Sequence, residues 1–335
     1  MNNNKVRWGV ISTANIGRYA VNPAIQASSN GELNAVASRS ADKARAFAEE
    51  WGIPVAYGSY EELLADADID AVYIPLPNSL HRKWSIRAME AGKHVLCEKP
   101  LALNKAECLE MQAASEANGV TLMEAFMYRF HPRTDRVLQM IRDGALGKLS
   151  MIQSAFTFRL KNRDNIRLDP ALGGGALMDV GCYCVNLSRT ATGGEPEEVQ
   201  AIATTSASGV DEMLAGSMRF ANDVVASFQC GLNTRRREAY EIGGSDAYLR
   251  VEDAFLPGKG DVIIEEYRDD AQPTVHTVDG VDEYQLMVEH FADCVLNGTP
   301  PHYTATEAAR NMQVIEALYA SVRAGGKTIR VADIG

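Results

Sequence analysis

The sequence has 335 residues, enough for about two domains at roughly 150 residues per domain. Hydrophobic residues make up 46% and charged residues 23%, which excludes wholesale disorder and a fibrous repeat. The formal net charge of −11 repels polyanions and argues against a nucleic-acid partner. Residues 1–130 hold 13 basic and 15 acidic side chains, whereas residues 131–335 hold 20 and 29, so the N-terminal part is the better host for an anion.

No segment of the sequence predicts membrane association or export. The opening Met-Asn-Asn-Asn-Lys lacks the apolar core of a signal peptide, and no run approaches the roughly 20 apolar residues of a membrane span. We therefore expect a cytoplasmic protein. The six cysteines and six histidines show no metal-ligand spacing, and a cytosolic location keeps the thiols reduced, so we expect no metal.

From residue 6 to about residue 125, short β-rich runs alternate with helix-patterned stretches. The predicted strands are Val6–Ile11, Leu33–Ser38, Ala71–Ile74, His94–Cys97 and Thr121–Glu124. The predicted helices are Asp42–Trp51, Tyr60–Ala65, Leu80–Ala91 and Asn104–Asn118. This alternation is typical of a parallel sheet with crossover helices, so the N-terminal part is predicted to be an α/β domain.

After Gly147 the pattern changes to longer β-rich runs that are separated by turn residues. The runs are Leu149–Leu160, Val199–Ser206, Met213–Phe220, Val224–Cys230, Tyr240–Gly243 and Val262–Tyr267. One helix, from Gly173-Gly174-Gly175 to about Thr192, interrupts them, and helices at Asp282–Leu296 and Thr304–Ala324 close the chain. The C-terminal part is therefore predicted to be α+β, with an open, mostly antiparallel sheet.

The first strand leads into a turn of small residues at the start of a helix. In the G-x-G-x-x-G frame the turn reads Ser12-x-Ala14-x-x-Gly17, and such a turn lets a pyrophosphate approach the backbone at the helix N-terminus. The candidate pyrophosphate-binding residues are Ser12, Thr13, Ala14, Asn15 and Ile16. Because two of the three glycines are missing, a tight βα turn without a ligand is the alternative.

The second strand ends at Ser38-Arg39-Ser40, about 20 residues after this turn, where an NAD site places an acidic residue on the ribose hydroxyls. Arg39 occupies the position instead, with Lys43 one helical turn further on. Together they offer hydrogen-bond donors to the 2′-phosphate of NADP. NADP is therefore the predicted cofactor, with NAD as second candidate, and a solvated surface arginine is the alternative reading of Arg39.

Two more segments end at the carboxyl edge of the predicted sheet, where ligands bind in open α/β domains. Strand His94–Cys97 runs into Glu98-Lys99-Pro100, in which Lys99 is either a fixed cation near the cofactor or an ordinary strand-end lysine. His94 lies within the strand, so we expect it to be packed and hydrogen-bonded and without a catalytic role.

The segment Pro75-Leu76-Pro77-Asn78 follows strand Ala71–Ile74 and reaches the same edge. Leu76 and Asn78 are therefore candidates for cofactor contact, although Asn78 is also suited to cap the next helix. His81 falls in the first turn of that helix, where it is either near the cofactor or at the surface.

The helix after Gly173-Gly174-Gly175 carries Asp179 and Tyr183 at positions i and i+4, so both side chains lie on one face. A buried aspartate is costly unless it has a partner, which marks Asp179 as a candidate catalytic residue. The alternative is a helix whose Tyr183 fills the core and whose Asp179 bonds a backbone group. Arg167, just before the helix, belongs to a basic cluster that is either a solvated loop or a second contact to phosphate.

Three longer motifs make the chain resemble the Gfo/Idh/MocA family, the relatives of glucose-fructose oxidoreductase and inositol dehydrogenase. They are GKHVLCEKP at 92–100, MEAFMYRFHP at 123–132 and GGGALMDVGCY at 173–183. The last two look most like the branch with NADP-dependent D-xylose and other aldose dehydrogenases, dimeric dihydrodiol dehydrogenase and glucose-fructose oxidoreductase. The match spans almost the whole chain, but departs from the family at Ser12 and Ala14 and lacks the export signal of the periplasmic glucose-fructose enzyme.

The resemblance implies a dinucleotide-binding Rossmann domain over residues 1–126. It implies a substrate-binding and oligomerisation α+β domain over residues 127–335, and a homodimer or homotetramer. It also implies hydride transfer between NADP and a sugar or cyclic polyol. The substrate would be an aldose such as D-xylose or D-glucose, oxidised to a lactone, or a keto sugar in the reverse direction. Trans-dihydrodiol dehydrogenase, keto-sugar reductase and a non-catalytic NADP-sensing regulator are the alternatives.

The resemblance also assigns roles to residues. Lys99 matches the catalytic lysine of the family, Asp179 its helix aspartate, and Tyr183 the position that is histidine in inositol dehydrogenases, so the proton carrier here is expected to be tyrosine. Glu98 shares the lysine motif and is expected at the cofactor. Arg129 and Arg167 match positions near the cofactor in the glucose-fructose branch.

Overall fold

The computed structural model describes residues 5–269 and 272–335, which divide into two compact units. Unit 1 contains the chain up to Met127 together with Asp282–Ala309. Unit 2 contains Tyr128–Val281 and Arg310–Gly335. The segment Asp282–Ala309, which the sequence places in the second domain, thus belongs to the first unit.

A six-stranded parallel sheet forms the centre of unit 1. Its strands are β1 (Val6–Ile11), β2 (Gly31–Ala37), β3 (Val55–Tyr57), β4 (Ala71–Ile74), β5 (His94–Cys97) and β6 (Leu122–Glu124). They pair in the order β3-β2-β1-β4-β5-β6, so the strand order reverses between β1 and β4, where α/β sheets bind ligands. All four residues of β4 are buried, as expected for a sheet that helices cover on both faces.

Short helices connect these strands. They are α1 (Asn22–Ala27), α2 (Ala41–Trp51), α3 (Tyr60–Ala65), α4 (His81–Glu90) and α5 (Lys105–Asn118). The side chains of Ser40, Ser59 and Asn104 accept a backbone N–H from the first turn of α2, α3 and α5, which explains where these helices begin. Gly52 and Gly119 end α2 and α5 in the left-handed conformation that favours glycine.

A mixed sheet of nine described strands forms the body of unit 2. Its strands are β7 (Leu149–Arg159), β8 (Pro196–Thr205), β9 (Asp211–Phe220), β10 (Val225–Gly231), β11 (Asn233–Gly244), β12 (Tyr248–Glu252), β13 (Val262–Tyr267), β14 (Thr274–Val278) and β15 (Ile329–Arg330). Their order is β14-β13-β12-β11-β7-β10-β9-β8-β15. Every pairing is antiparallel except β7 with β10, so the predicted fold class is confirmed.

The remaining described α-helices are α6 (Pro132–Arg142), α7 (Cys182–Thr192), α8 (Glu283–Asn297) and α9 (Ala305–Arg323). Helix α8 belongs to unit 1 because its apolar face packs beside β1. The rings of Trp8 and Phe291, both fully buried, have centroids 5.2 Å apart. Asn30 Nδ2 also donates to Asp293 Oδ1 at 2.7 Å. This packing explains why a late segment joins the first unit.

The structure differs from the sequence prediction in several short elements. Strands β3, β12, β14 and β15, of two to five residues each, are absent from the predicted elements, as is α6. The helix predicted from Gly173 to Thr192 begins instead as a π-helical turn, Leu177–Gly181, before α7. None of the described helices is long and apolar enough to cross a membrane.

Candidate active site

The turn after β1 has a serine where a dinucleotide-binding turn has its first glycine. Ser12 has a φ of 113°, which strains any residue with a side chain. Its Oγ donates to the carbonyl of Pro75 at 3.1 Å and accepts the N–H of Ala14 at 3.3 Å. These bonds stabilise the strained turn, and the helix that leads into α1 begins at Asn15 with Ile16 also exposed. Thr13, which lies between Ser12 and the start of this helix, is half-buried. The turn therefore fits a pyrophosphate at a helix N-terminus.

The turn after β2 presents an arginine to solvent. Ser38 is buried and its N–H donates to the carbonyl of Tyr57, which holds the end of β2 beside β3. Arg39 and Lys43 are both exposed. Burial raises the pKa of Tyr60, while the charge and hydrogen bond of Arg39 lower it, so the guanidinium lies beside that phenol. The guanidinium of Arg39 thus contacts Tyr60 on one side and is open to solvent on the other, as contact with a 2′-phosphate requires.

Glu98 and Lys99 follow β5 at the carboxyl edge of the parallel sheet. The hydroxyl of Tyr73, a fully buried residue of β4, donates to Glu98 Oε1 at 2.6 Å. Burial raises the pKa of Tyr73 well above its usual value, and the charge of Glu98 adds to the rise. The phenol is therefore a permanent donor that orients Glu98. Lys99 is half-buried next to it.

The loop after β4 and the start of α4 contain Asn78 and His81, for which the sequence left alternatives open. Helix α4 begins at His81 with Leu80 as N-cap, and Asn78 opens the 3-10 turn, Asn78–Leu80, that leads into it. His81 is fully buried rather than at the surface. Its Nδ1 lies 2.9 Å from the carbonyl of Pro100 and its Nε2 lies 2.8 Å from that of Leu76. Neither ring nitrogen is left for a direct cofactor contact, because each faces a backbone oxygen.

In unit 2, Asp179 lies in the π-helical turn before α7, and its partner is Arg167. The Nε of Arg167 donates to Asp179 Oδ2 at 2.6 Å, and the guanidinium also lies 5.8 Å from the ring centroid of Phe158. The Asp179 side chain is 14% exposed, and that of Arg167 is 38% exposed. The structure therefore pairs the half-buried aspartate with a cation, and both side chains remain partly exposed.

Tyr183 lies one turn further along, in the first turn of α7, and its ring is 4% exposed. The ring centroids of Phe156 and Phe255 are each 5.3 Å away, and that of Tyr128 is 5.9 Å away. This aromatic cluster holds the phenol in one orientation, which suits a proton carrier and equally suits a core residue.

Arg129 lies against the same helix. Its Nη1 donates to Asn186 Oδ1 at 3.2 Å and to Thr190 Oγ1, and the Tyr128 hydroxyl donates to the same Asn186 oxygen at 2.6 Å. Asn186 is fully buried and is three residues from Tyr183 along α7. The four predicted residues of unit 2 therefore gather along α7 and the π-helical turn before it.

Residues that no sequence motif indicates anchor that π-helical turn. Asp211 Oδ2 accepts the N–H of Leu177 at 2.7 Å, and its Oδ1 accepts the hydroxyl of Tyr319 at 2.8 Å. Burial raises the pKa of both Asp211 and Tyr319. A Cβ at Gly175 would lie 2.2 Å from Asp211 Oδ1, so glycine is required where the turn begins. Asp211 opens a strand and Tyr319 lies in the last helix, so no local motif indicates them.

The predicted site residues thus form two groups, one in each unit. The first follows the carboxyl edge of β1, β2, β4 and β5, and the second follows α7. A parallel sheet with a tight βα turn at its switch point, and an arginine in place of the acidic residue after β2, is the arrangement of a nucleotide-dependent dehydrogenase fold.

Comparisons with known proteins agree with this class. Residues 6–126 match the family model described as "Oxidoreductase family, NAD-binding Rossmann fold", and residues 134–250 match the GFO/IDH/MocA C-terminal domain. The chain belongs to the GFO/IDH/MocA oxidoreductase family. The expected family and enzyme class are therefore confirmed.

Three similar proteins illustrate the range of the family. D-xylose 1-dehydrogenase (NADP(+)) 2 of Haloferax volcanii is 42% identical over 320 residues, covering 95% of this chain and 98% of that protein. Trans-1,2-dihydrobenzene-1,2-diol dehydrogenase of Mus musculus is 32% identical over 254 residues, covering 75% and 76%. The crystal structure of a 3-ketoreductase from Actinomadura kijaniata with NADP and TDP-benzene superposes with a TM-score of 0.89 at 30% identity, covering 95% and 98%.

Proposed function

We propose that the protein is an NADP-dependent oxidoreductase that oxidises a pyranose aldose such as D-xylose or D-glucose at the anomeric carbon, giving a lactone. The observation that carries this proposal is the array along α7, where Tyr183 follows the Arg167–Asp179 pair by one turn. The similarity to the D-xylose dehydrogenase of Haloferax volcanii, over nearly the full length of both chains, supports an aldose as substrate.

The proposed cofactor is NADP, and we assign its 2′-phosphate to Arg39, with Lys43 and the Ser38 turn beside it. The prediction of NADP agrees with the relatives, since the Haloferax enzyme is named for NADP and the Actinomadura structure contains it. The pyrophosphate is assigned to the Ser12–Ile16 turn. Leu76, Asn78 and Glu98 are assigned to the nicotinamide half, because they follow β4 and β5 at the carboxyl edge.

When bound, NADP accepts the hydride that leaves the sugar carbon. We assign to Tyr183 the proton of the sugar hydroxyl. A tyrosine can take a proton at neutral pH only as the phenolate, which requires a cation that lowers the pKa of its hydroxyl. We assign this role to Lys99. Asp179, held by Arg167, orients the sugar hydroxyls as an acceptor, and Arg129 supports α7 from the side.

Two alternative reactions use the same residues. Oxidation of a trans-dihydrodiol is favoured by the 32% identity to the Mus musculus enzyme, and reduction of a keto sugar by the likeness to the Actinomadura 3-ketoreductase. A non-catalytic NADP-sensing regulator is the remaining alternative, and the presence of Lys99, Asp179 and Tyr183 argues against it.

A substrate panel tests the proposal. Reduction of NADP and of NAD is followed by nicotinamide absorbance with D-xylose, D-glucose, a cyclic polyol and a trans-dihydrodiol. A 3-keto sugar with NADPH is measured in parallel. We expect the highest kcat/KM with an aldose and NADP. The highest value with the diol or the keto sugar would replace the aldose reading, and NADP binding without turnover of any substrate would favour the regulator.

We also propose a homodimer or homotetramer that forms through the outer face of the nine-stranded sheet. Adjacent strands align Tyr267, Tyr248, Gly243, Met151 and Val225 in one row across this face. The two tyrosine rings stack 4.5 Å apart, and Met151 and Val225 are 42% and 50% exposed. Such an apolar row on an open sheet supports a two-fold interface between copies of the chain.

Light scattering after size-exclusion chromatography tests the assembly. Met151→Asp places a charge in the apolar row and is expected to halve the mass. Leu109→Asp on α5 is the matched control, because Leu109 is also 42% exposed but lies outside the sheet. A monomeric mass for the unchanged protein would contradict the proposed assembly.

Finally, we propose a cytoplasmic location. All six cysteine side chains are buried, and a reducing compartment keeps such thiols in the reduced state. Immunoblotting of cytoplasmic and exported fractions of the source cells tests this, and recovery in the exported fraction would contradict it.

A further inference from the structure

His81 occupies an unusual place for a histidine, between two backbone carbonyl groups at the carboxyl edge of the parallel sheet. The side chain is fully buried, at the first position of α4. Its Nδ1 is 2.9 Å from the oxygen of Pro100, and its Nε2 is 2.8 Å from the oxygen of Leu76. The imidazole therefore bridges the loop after β4 and the loop after β5.

This bridge is the middle of a longer series of hydrogen bonds along the same edge. The hydroxyl of Ser12, after β1, donates to the carbonyl of Pro75, one residue before Leu76. The N–H of Leu101, one residue after Pro100, donates to Glu124 Oε1 at 2.7 Å, at the end of β6. The series links the loops that follow β1, β4 and β5 to the end of β6, and each link involves a buried or half-buried group.

The main chain on the C-terminal side of Lys99 therefore has two fixed points. His81 holds the carbonyl of Pro100, and Glu124 holds the next N–H, that of Leu101. We infer that His81 is a positioning residue, which holds the backbone that carries Lys99 and so sets where the lysine ammonium lies. This inference rests on the proposed function, because it gives Lys99 a catalytic charge.

The two contacts of the imidazole have different consequences. A carbonyl oxygen only accepts, so a neutral imidazole, with one N–H, donates to one of the two, and an imidazolium donates to both. Burial lowers the pKa of His81 and the charge of Lys99 lowers it further, whereas the carbonyl groups of Pro100 and Leu76 raise it. The contact with Pro100 is the one adjacent to Lys99, so this side of the ring should matter more for turnover.

Three substitutions separate the two sides of the ring. His81→Asn keeps a donor near the Nδ1 position, toward Pro100, and His81→Gln places one near the Nε2 position, toward Leu76. His81→Leu removes both. We expect kcat to fall about 10- to 100-fold in His81→Leu, since displacement of a catalytic group by about 1 Å has an effect of this order. NADP affinity, measured by fluorescence titration, should change by less than about threefold, because the turns assigned to the pyrophosphate and the 2′-phosphate, which follow β1 and β2, keep their own residues unchanged.

Partial rescue distinguishes positioning from a general packing role. We expect His81→Asn to retain more of kcat than His81→Gln, even though asparagine is the smaller side chain and leaves more volume unfilled. His94→Leu is the matched control, because His94 lies at the other end of β5 and its Nδ1 accepts the N–H of Thr121. That variant should lower Tm without lowering kcat. Equal losses in the Asn and Gln variants would contradict the positioning role.

A second readout does not depend on knowing the substrate. Hydrogen–deuterium exchange of the peptide 98–103 reports the Leu101 amide, which is bonded to Glu124. We expect about tenfold faster exchange in His81→Leu than in the unchanged protein, because one of the two fixed points is gone. Unchanged exchange of this peptide in a folded variant would overturn the inference.

A double-mutant cycle separates this inference from the proposed function. If His81 acts through Lys99, adding His81→Leu to Lys99→Ala should lower kcat by no more than about twofold. Additive losses would show that His81 acts elsewhere and overturn the inference. Full activity in Lys99→Ala would instead contradict the proposed role of Lys99, whatever the His81 variants show.

Discussion

The anchor of the π-helical turn before α7 makes a sharp prediction, because one buried carboxylate holds two donors there. Asp211 is 6% exposed and accepts the N–H of Leu177 and the hydroxyl of Tyr319. Hydrogen bonds to a charged group contribute about 1.5–3 kcal/mol each. Asp211→Ala removes both acceptors and leaves two buried donors, so we expect a loss of about 4 kcal/mol of unfolding free energy.

For a unit of this size, about 2–4 °C of Tm is lost per kcal/mol, so Tm should fall by about 8–16 °C. Differential scanning calorimetry measures it. Tyr319→Phe removes one of the two donors and keeps the Leu177 bond, so its Tm should fall by less than half as much. Because the turn carries Asp179 toward α7, kcat of Asp211→Ala should also fall at a temperature where the protein is folded. A Tm within 2 °C of the unchanged protein would refute the anchoring argument.

Three further changes test the assigned site. Arg39→Asp should weaken NADP binding about 10- to 100-fold and affect NAD binding much less, because charge-assisted bonds to the 2′-phosphate are lost. Titration of both cofactors measures this. Equal affinities for NADP and NAD in the unchanged protein would contradict the assignment. Lys99→Ala should lower kcat by about 100-fold or more while Tm and NADP affinity change little; activity within a few-fold would make it a surface lysine. Arg167→Met should raise KM for the sugar and lower kcat by about tenfold or more, since Asp179 loses its ion pair with Arg167. Unchanged steady-state kinetics would exclude this ion pair from the site.

Much of the first unit follows from local sequence patterns. The bounds of β1, β4 and β5 are those that the apolar runs predict, because each strand is buried on both faces and is flanked by turn residues or helix caps. The bounds of β13 in unit 2 also agree with its apolar run, although this strand has one exposed face. By contrast, β3 has only three residues and its Val55 is 37% exposed, so it depends on pairing with β2 rather than on its own pattern.

The candidate site could be predicted only in part, because several of its contacts join residues that are far apart in the sequence. Asp179 and Tyr183 are four residues apart, and α-helical spacing predicts one face for both. The sequence does not reveal that Asp179 lies in a π-helical turn, which has a wider period. Arg167 is 12 residues before Asp179, and only the tertiary fold shows that they form an ion pair. Asp211 and Tyr319 are separated by 108 residues, so their bond beneath the π-helical turn depends entirely on packing within unit 2. For His81 the sequence left a position near the cofactor or at the surface open, and only the fold shows that it is buried between the carbonyl groups of Pro100 and Leu76.

Tyr183 is proposed to carry the proton in an NADP-dependent oxidation of a sugar. The most direct test is the pH dependence of kcat for Tyr183→Phe, measured with the best substrate of the panel. The substitution deletes one hydroxyl and keeps the ring among Tyr128, Phe156 and Phe255. We predict a fall in kcat of about 10²–10⁴-fold, with the rise in oxidation rate toward high pH flattened, because general acid–base groups contribute this much. Near-normal turnover with an unaltered pH profile and a lower Tm would show that Tyr183 is a core residue and would contradict the account.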